Sequence, residues 1–196
     1  AEPSLAERST RRSDAKLAIA ARALDAVPAG FTGSVYLDAG TTTAALAGLL
    51  AQRAPGFAPM EVVTHSMTIA HLLAGATGLG LTAIGGRVRG LTAAAVGAQT
   101  VDAVSRLRPD IAFIGTNGLS AGFGLSTPDP DEAAVKRAII AAARRVIVVA
   151  DADKLDAELL VSFGSASDVD ILVTDRSPAE PLAMALADAD AEVWLA

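Results

Sequence analysis

The sequence predicts an α/β fold with a mostly parallel sheet and helices on both of its faces. Short apolar, β-branched runs alternate along the chain with alanine-rich helical stretches. The mid-chain runs at 111–114 and 146–149 are nearly all apolar, which is typical of strands covered by helices on both faces. Alternation of strand and helix implies right-handed crossovers and therefore a mostly parallel sheet.

The elements follow in order from this alternation. The predicted helices lie at 12–26, 41–52, 66–74, 95–106, 131–144 and 178–188. The predicted strands lie at 33–38, 60–64, 79–84, 110–115, 145–150, 159–163, 170–173 and 192–195. The stretch between the strand at 110–115 and the next helix is predicted to be irregular. A small extra strand element is expected in the C-terminal third of the chain.

Composition limits the class of protein. The 196 residues suffice for one domain with a small appendage, and with 52% hydrophobic but only 4% aromatic residues the core is built from Ala, Val, Leu and Ile. The absence of cysteine excludes disulfides and thiolate metal sites. A formal net charge of −6 without a long basic run argues against nucleic-acid binding by this chain itself.

The sequence also bears on location. No run approaches the roughly 20 apolar residues of a membrane span. Residues 1–4 do not have a charged region followed by an apolar one, so no signal peptide is predicted. A cytoplasmic protein without a membrane partner is therefore expected.

The loop after the first strand is the most informative candidate site. Gly40 lets the backbone approach a ligand, and Thr41, Thr42 and Thr43 place hydroxyls at a helix N-terminus. The first amides of a helix have no internal partner and the helix dipole adds positive potential, so this loop can seat an anion such as phosphate. Asp38 would then face sugar hydroxyls. The alternative is that Thr41 caps the helix and Asp38 stabilises the turn.

Further strand ends carry glycine, hydroxyl or charged residues. In open parallel sheets, ligands lie beyond the carboxyl ends of the strands. The coincidence of such loops at one edge of one sheet therefore predicts a binding crevice. The residues singled out are Thr64, His65 and Ser66, then Gly86 and Arg87, then Asn117 and Gly118, and finally Asp151 and Lys154.

Several of these side chains have a structural alternative. In one interpretation, Lys154 supplies a cation to a phosphate and Asp151 orients the lysine. In the other, both are ordinary turn residues. Arg87 folds over a ligand, or it is a surface arginine. His65 and His71 are six residues apart, which is not the spacing of a helical metal pair, so no metal site is predicted.

Charged residues on two predicted helices are also open to interpretation. Glu132 and Lys136 lie four residues apart, which favours an exposed and weakly stabilising ion pair over a binding role. The most basic segment lies near the start of the chain and is interpreted as a solvated helix face. It comprises Arg8, Arg11, Arg12, Lys16 and Arg22.

In order and spacing, these motifs resemble the C-terminal sensor domain of DeoR-type bacterial transcription regulators, over almost the whole chain. The run 110–118 is the most specific part, and 38–42 corresponds to the family's strand-one loop. The second loop, 62–66, usually has Asn where this chain has His65, and Asp153 replaces a serine of the family's Asp-x-Ser-Lys element. The remaining matches are Gly85, Gly86, Gly97, Gly124, Thr127, Glu132, Lys136, Asp151 and Lys154.

The resemblance implies a fold shared with ribose-5-phosphate isomerase and a phosphorylated sugar or related metabolite as effector. It also implies a repressor that forms a homodimer or homotetramer. Operator DNA would be bound only through a preceding helix-turn-helix domain that is absent from this chain. Residues 1–27 would then be the linker helix, which would transmit the effector signal, and 28–196 the sensor domain.

Two other functions stay open at this stage. A sugar-phosphate isomerase or deaminase needs a positioned base, and the related isomerases carry catalytic carboxylates in the loop after the central strand. Here that loop, 115–118, has no acid, and the sequence has no nucleophile elbow, Walker-type loop or dinucleotide fingerprint. Neither an enzyme nor a cofactor is therefore predicted, although Glu132 or Asp38 could serve as a base. The other alternative is an assembly module with no ligand.

Overall fold

A seven-stranded sheet forms the centre of the computed structural model, which describes residues 3–53 and 59–196. Its strands are β1 (Ser34–Leu37), β2 (Met60–Thr64), β3 (Leu79–Ala83), β6 (Ile111–Gly115), β9 (Val146–Val149), β11 (Ile171–Thr174) and β12 (Glu192–Leu195). Their order across the sheet is β12-β11-β9-β6-β1-β2-β3, and all neighbours are parallel. The chain runs outward from β1 to β3 and later returns to place β6 beside β1. The switch point of the sheet therefore lies between β1 and β6.

Helices cover both faces of this sheet, as predicted. They are α1 (Leu5–Thr10), α2 (Ser13–Ala23), α3 (Thr41–Arg53), α4 (Met67–Leu73), α5 (Ala98–Ser105), α6 (Pro130–Ala142) and α7 (Leu182–Asp188). Side chains of β1 alternate between two cores, because Val35 and Leu37 pack with α2, α3 and α4, whereas Tyr36 packs with α5, α6 and α7. Among the helices that the structure describes, none is both long enough and apolar enough to cross a membrane.

Two small antiparallel sheets flank the main one. The first pairs β4 (Arg87–Arg89) with β5 (Ala94–Val96), and the second has the order β10-β8-β7 from β7 (Gly118–Ser120), β8 (Gly124–Thr127) and β10 (Val161–Gly164). The predicted start of a helix at 95 is wrong. Ala94–Val96 is a strand, and Gly97, at φ 94°, separates it from α5. The prediction of an irregular stretch after 115 is also wrong, since it contains β7 and β8.

The N-terminal segment is packed onto the sheet. Ser4 and Glu7 form a capping box that begins α1. Arg12, at φ 52°, has a left-handed backbone conformation and separates α1 from α2. The predicted helix at 12–26 corresponds to α2 followed by one 3₁₀ turn at Leu24–Ala26. Ile19 of α2 is fully buried and belongs to the same core as β1. The segment predicted to be a linker therefore packs against the seven-stranded sheet.

Candidate functional site

A cavity of about 510 Å³ lies beyond the carboxyl ends of β1, β6 and β9, next to the switch point of the sheet. Ligand pockets of proteins commonly have volumes of a few hundred Å³. Nine of the residues singled out from the sequence line it, namely Gly40, Thr41, Thr42, Thr43, Asn117, Glu132, Lys136, Asp151 and Lys154. The structure therefore brings three of the five predicted loops, together with the helix positions Glu132 and Lys136, to one space.

The N-terminus of α3 forms one part of the cavity wall. Thr41, Thr42 and Thr43 are the first three residues of this 13-residue helix, so their amides have no partner within the helix. The hydroxyl of Thr43 donates to the Gly40 carbonyl at 3.1 Å. Local bonding therefore engages one of the three predicted hydroxyls, while the helix terminus still presents its positive end to the cavity.

Asp38 lies beneath the cavity rather than on its wall. It follows β1 and is fully buried. Its Oδ2 accepts hydrogen bonds from the Gly115 amide at 2.9 Å and from Lys136 Nζ. Asp38 Oδ1 accepts no hydrogen bond from the part of the chain that the structure describes. The carboxylate expected to face a sugar thus holds Lys136 of α6 and the loop after β6 together, because the buried charge requires a cation and donors.

His65 belongs to the same buried network. Its Nδ1 is 2.9 Å from the Tyr36 hydroxyl, and its Nε2 is 3.6 Å from Asp38 Oδ1. Burial lowers the pKa of His65 to about 4, with the Lys136 charge adding to the effect and Asp38 opposing it. Burial also raises the pKa of Tyr36. The imidazole is therefore neutral near pH 7, and its place is under the cavity.

Thr64 and Ser66 do not line the cavity either. The hydroxyl of Thr64 donates to the Leu37 carbonyl at 2.7 Å and accepts from the Ser66 amide at 3.1 Å. The hydroxyl of Ser66 accepts from the Ile69 amide at 3.3 Å and so caps α4. Both side chains are buried, and these bonds connect β1, β2 and α4.

Three other predicted positions, Gly86, Arg87 and Gly118, do not line the cavity. A Cβ on Gly86 would lie 2.1 Å from Thr100 Oγ1, and a Cβ on Gly118 would lie 2.3 Å from the Ala157 carbonyl oxygen, so both places need a glycine for close approach. The Arg87 side chain is 66% exposed, does not line the cavity, and pairs with Asp131.

Glu132 and Lys136 are not the exposed ion pair that their spacing favoured. Both are buried on the cavity wall, because α6 lies over the loops after β1 and β6. Glu132 accepts hydrogen bonds from Thr92 and, at 3.3 Å, from Arg89. Lys136 instead pairs with Asp38. That interpretation is therefore wrong for both residues.

The loops after β6 and β9 complete the wall. Asn117 lines the cavity, and its Oδ1 accepts from the Thr127 hydroxyl at 3.1 Å. Asp151 is buried and begins the 3₁₀ turn Ala152–Lys154 by accepting from the Asp153 amide at 3.1 Å. Lys154, at the end of this turn, reaches the cavity.

Sequence reasoning missed the basic residues of the first two helices. Arg8, Arg11, Arg12 and Lys16 all line the cavity. Lys16 is only 7% exposed, so the interpretation as a solvated face is wrong for it, whereas Arg11 and Arg12 line the cavity and are exposed. Arg22 lies elsewhere, with its guanidinium 4.6 Å from the Trp194 ring centroid. The sequence contained one signal that these residues act together, because Arg8, Arg12 and Lys16 are each four residues apart.

The charge of the cavity is opposite in sign to that of the chain. Among the residues that the structure describes, six cationic and three anionic side chains line it, an excess of three positive charges in a chain of net charge −6. Such a cavity concentrates anions. Within residues 3–53 and 59–196, no three His, Asp or Glu side chains are grouped closely enough to hold a metal ion.

Comparison with known proteins identifies the family of this chain. Residues 11–176 match the family model described as the DeoR C terminal sensor domain. The chain is 34% identical over 175 residues to the HTH-type transcriptional regulator GlpR of Haloferax volcanii, covering 89% of this chain and 66% of that protein. It is 29% identical over 182 residues to the glycerol-3-phosphate regulon repressor of Escherichia coli, covering 93% and 70%. The chain thus spans about two thirds of the length of these relatives.

Solved structures confirm the predicted fold class. Ribose 5-phosphate isomerase A of Methanocaldococcus jannaschii matches with a TM-score of 0.52 at 18% identity, over 73% of this chain and 54% of that one. A D-ribose-5-phosphate isomerase in complex with phospho-erythronic acid matches with a TM-score of 0.53 at 19% identity, over the same shares. At this identity the likeness concerns the fold alone, whereas the family match covers most of the chain. The chain belongs to the DeoR family of transcriptional regulators and carries its sensor domain.

Proposed function

We propose that this chain senses a phosphorylated sugar or polyol within a cytoplasmic DeoR-type repressor, and that it is not itself an enzyme. The observation that carries the proposal is the cavity at the switch point of the sheet, which combines a helix N-terminus with an excess of cationic side chains. Helix N-termini and lysines are common phosphate-binding elements because both present donors and positive potential.

The phosphate is proposed to lie on the N-terminus of α3. Gly40 to Thr43 supply backbone amides and hydroxyls, and Lys154 supplies a cation from the loop after β9. A phosphate here would face an excess of positive charge, which favours a dianion over a neutral sugar. Asp151 is proposed to orient the turn that carries Lys154 rather than to touch the ligand.

The sugar or polyol hydroxyls are proposed to lie against Asn117, Glu132 and Lys136. These residues offer an amide, a carboxylate and an ammonium group on one wall. Hydroxyls both donate and accept hydrogen bonds, so this mixture suits them. Asp38, His65 and their hydroxyl-bearing neighbours support the wall from below.

Regulation of DNA binding is proposed to follow from a change in linker or quaternary arrangement. An effector shifts such an equilibrium only if it binds one arrangement more tightly than the other. We propose a homodimer or homotetramer whose operator contacts come from an N-terminal helix-turn-helix domain. The names of the relatives support the role in transcription, since they are transcriptional regulators and repressors, one of them of the HTH type.

Catalysis has weaker support than sensing. The loop 115–118 has no acid, and Asp38 is held by Lys136 and Gly115. Glu132 already accepts hydrogen bonds from Thr92 and Arg89. A general base needs access to the proton that it removes. Turnover of a pentose or hexose phosphate by this chain would overturn this part of the proposal.

A thermal-shift screen tests the proposal. Glycerol 3-phosphate, pentose phosphates and hexose phosphates are compared with their unphosphorylated counterparts. A ligand at 100 times its Kd stabilises a fold by about 2.7 kcal/mol, and only phosphorylated compounds are expected to do so. Glycerol 3-phosphate comes first because one relative is a glycerol-3-phosphate regulon repressor.

Matched variants locate the site. Thr42→Val and Lys154→Ala are expected to reduce the shift, whereas Arg106→Ala is the control, because Arg106 follows α5 outside the cavity with a 77% exposed side chain. If no phosphorylated compound moves the melting temperature of the unsubstituted chain, an assembly module without a ligand becomes the better explanation.

A further inference from the structure

The first two helices form part of the wall of the effector cavity. Arg8 of α1 and Lys16 of α2 line it, as do Arg11 and Arg12 in the break between the helices. The same space is lined by the N-terminus of α3 and by Lys154. A ligand in this cavity can therefore contact both the N-terminal helices and the loops at the edge of the seven-stranded sheet.

Arg12 holds this wall in place. Its Nη1 donates to Asp153 Oδ1 at 2.7 Å, its Nη2 donates to Asp175, and its Nε lies 3.9 Å from Asp151 Oδ1. Its backbone adopts the left-handed conformation, at φ 52°, which is unfavourable for a residue with a Cβ. The three carboxylates compensate the Arg12 charge and hold the turn between α1 and α2 in place. They therefore also fix the direction of α1.

Within residues 3–53 and 59–196, the other three cations of this wall have no close ion pair like those of Arg12, although Glu7 interacts electrostatically with Arg11 and Asp151 with Lys16. Lys16 Nζ donates to the Arg8 carbonyl, and Arg8 Nε is buried without a hydrogen-bond partner among the described residues. Burial lowers the pKa of Lys16, and the charges of Lys154, Arg8 and Arg11 lower it further, while Asp151 opposes them. A buried donor without an acceptor and cations that repel one another are both unfavourable. A bound anion would offset the repulsion among these cations.

We propose that Arg8, Arg11 and Lys16 bind the anionic group of the effector directly, so that the effector joins the N-terminal helices to the sensor sheet. This inference rests on the proposed function and extends it, because it names the side chains of the N-terminal segment that contact the effector. The docked arrangement of α1 gains contacts with the anion that an undocked α1 lacks. The anion therefore favours docking by its differential affinity for the two arrangements.

Binding measurements on the full chain test the inference. The probes are inorganic phosphate and glycerol 3-phosphate, titrated by calorimetry. Arg8→Ala and Arg11→Ala are each expected to weaken binding about tenfold, because each removes a charge-assisted hydrogen bond. Arg106→Ala, which removes a cation outside the cavity, is expected to leave the Kd unchanged. Arg11 is exposed, so its truncation leaves no buried gap and the variant is expected to fold.

Hydrogen exchange supplies a second measurement. Its result would not depend on the bound anion if Arg8 had only a structural role. Amides of α1 are expected to exchange at least about threefold more slowly when either probe is bound, in the unsubstituted chain and in Arg106→Ala but not in Arg8→Ala. If both probes bind and Thr42→Val weakens them, while Arg8→Ala and Arg11→Ala bind as tightly as the unsubstituted chain, this inference is overturned and the proposed function survives. If neither probe binds the unsubstituted chain, the anion cavity itself is overturned.

Discussion

Lys136 donates hydrogen bonds to Asp38 Oδ2 and, at 2.8 Å, to the Gly115 carbonyl, so one buried cation joins the loops after the two central strands. Asp38 also accepts from the Gly115 amide at 2.9 Å. Removing two charges from water costs several kcal/mol, and such a pair is tolerated when its geometry and additional hydrogen bonds are good. The Asp38–Lys136 pair therefore fixes Lys136 on the cavity wall to Asp38 beneath it.

Breaking this pair is expected to destabilise the fold strongly. Lys136→Met keeps much of the apolar stem but leaves Asp38 charged and uncompensated, so the free energy of unfolding is expected to fall by about 3 to 5 kcal/mol. Adding Asp38→Asn is expected to restore much of the loss because the isolated charge is gone. A urea denaturation cycle over the two single variants and the double variant measures the coupling. Additive losses would contradict a coupled pair.

His65 is expected to make stability depend on pH. Its pKa is lowered from 6.5 to about 4 by burial, so the unfolded chain binds the proton more readily. The stability that depends on neutral His65 is therefore fully present above pH 6.5 and is lost as pH falls from about 6.5 to about 4, by of order 3 kcal/mol. His65→Asn, the residue usual in the family, is expected to flatten the dependence between pH 6.5 and 5.

Unfolding curves at several pH values measure this effect as a difference between variants, which removes the contribution of carboxylates common to both. His71→Asn is the matched control, because His71 is exposed on α4 and this variant keeps the buried histidine. The buried imidazole can also be followed by NMR, since the chain has only two histidines. A titration of His65 near pH 6.5 would contradict the prediction.

The main sheet could be predicted because its physical causes are local. Strands such as β6 and β9 are buried on both faces and therefore nearly all apolar, while the covering helices are rich in alanine. The short strands β7 and β8 could not be predicted because three or four residues carry too little periodicity, and tertiary contacts define them. One such contact is the approach of Gly124 to Gly164.

The site could be predicted only in part, since the identity of a residue does not show which neighbour it meets. The sequence favours a ligand contact for Thr64, yet its hydroxyl bonds to the Leu37 carbonyl. Helical spacing matches Lys136 with Glu132, whereas the fold places Asp38 beneath it, 98 residues away in the chain. Lys16 cannot be assigned to the cavity without the path of α1 and α2.

Two glycine-to-alanine substitutions are expected to act in opposite directions. A Cβ on Gly124 would lie 2.1 Å from the Gly164 carbonyl oxygen, and its φ of +73° disfavours any side chain, so Gly124→Ala is expected to cost more than about 2 kcal/mol. Gly48 lies within α3, and a methyl group added there would have no packing neighbour within 4 Å, so Gly48→Ala is expected to stabilise the fold by up to about 1 kcal/mol. Melting temperatures measure both, and stabilisation by Gly124→Ala would contradict the packing described.

Asp153→Ser, which introduces the residue usual in the family, tests the charge of the cavity. Asp153 lines the cavity and pairs with Arg12 at 2.7 Å, but its side chain is 61% exposed, so its loss is expected to change the free energy of unfolding by less than about 1 kcal/mol. Removing this carboxylate lowers the repulsion of a bound anion. Inorganic phosphate is therefore expected to bind about two- to fivefold more tightly, with the gain shrinking at high salt. Calorimetry at two ionic strengths measures this. Weaker binding would show instead that Asp153 matters mainly by holding Arg12, and with it the cationic wall, in place.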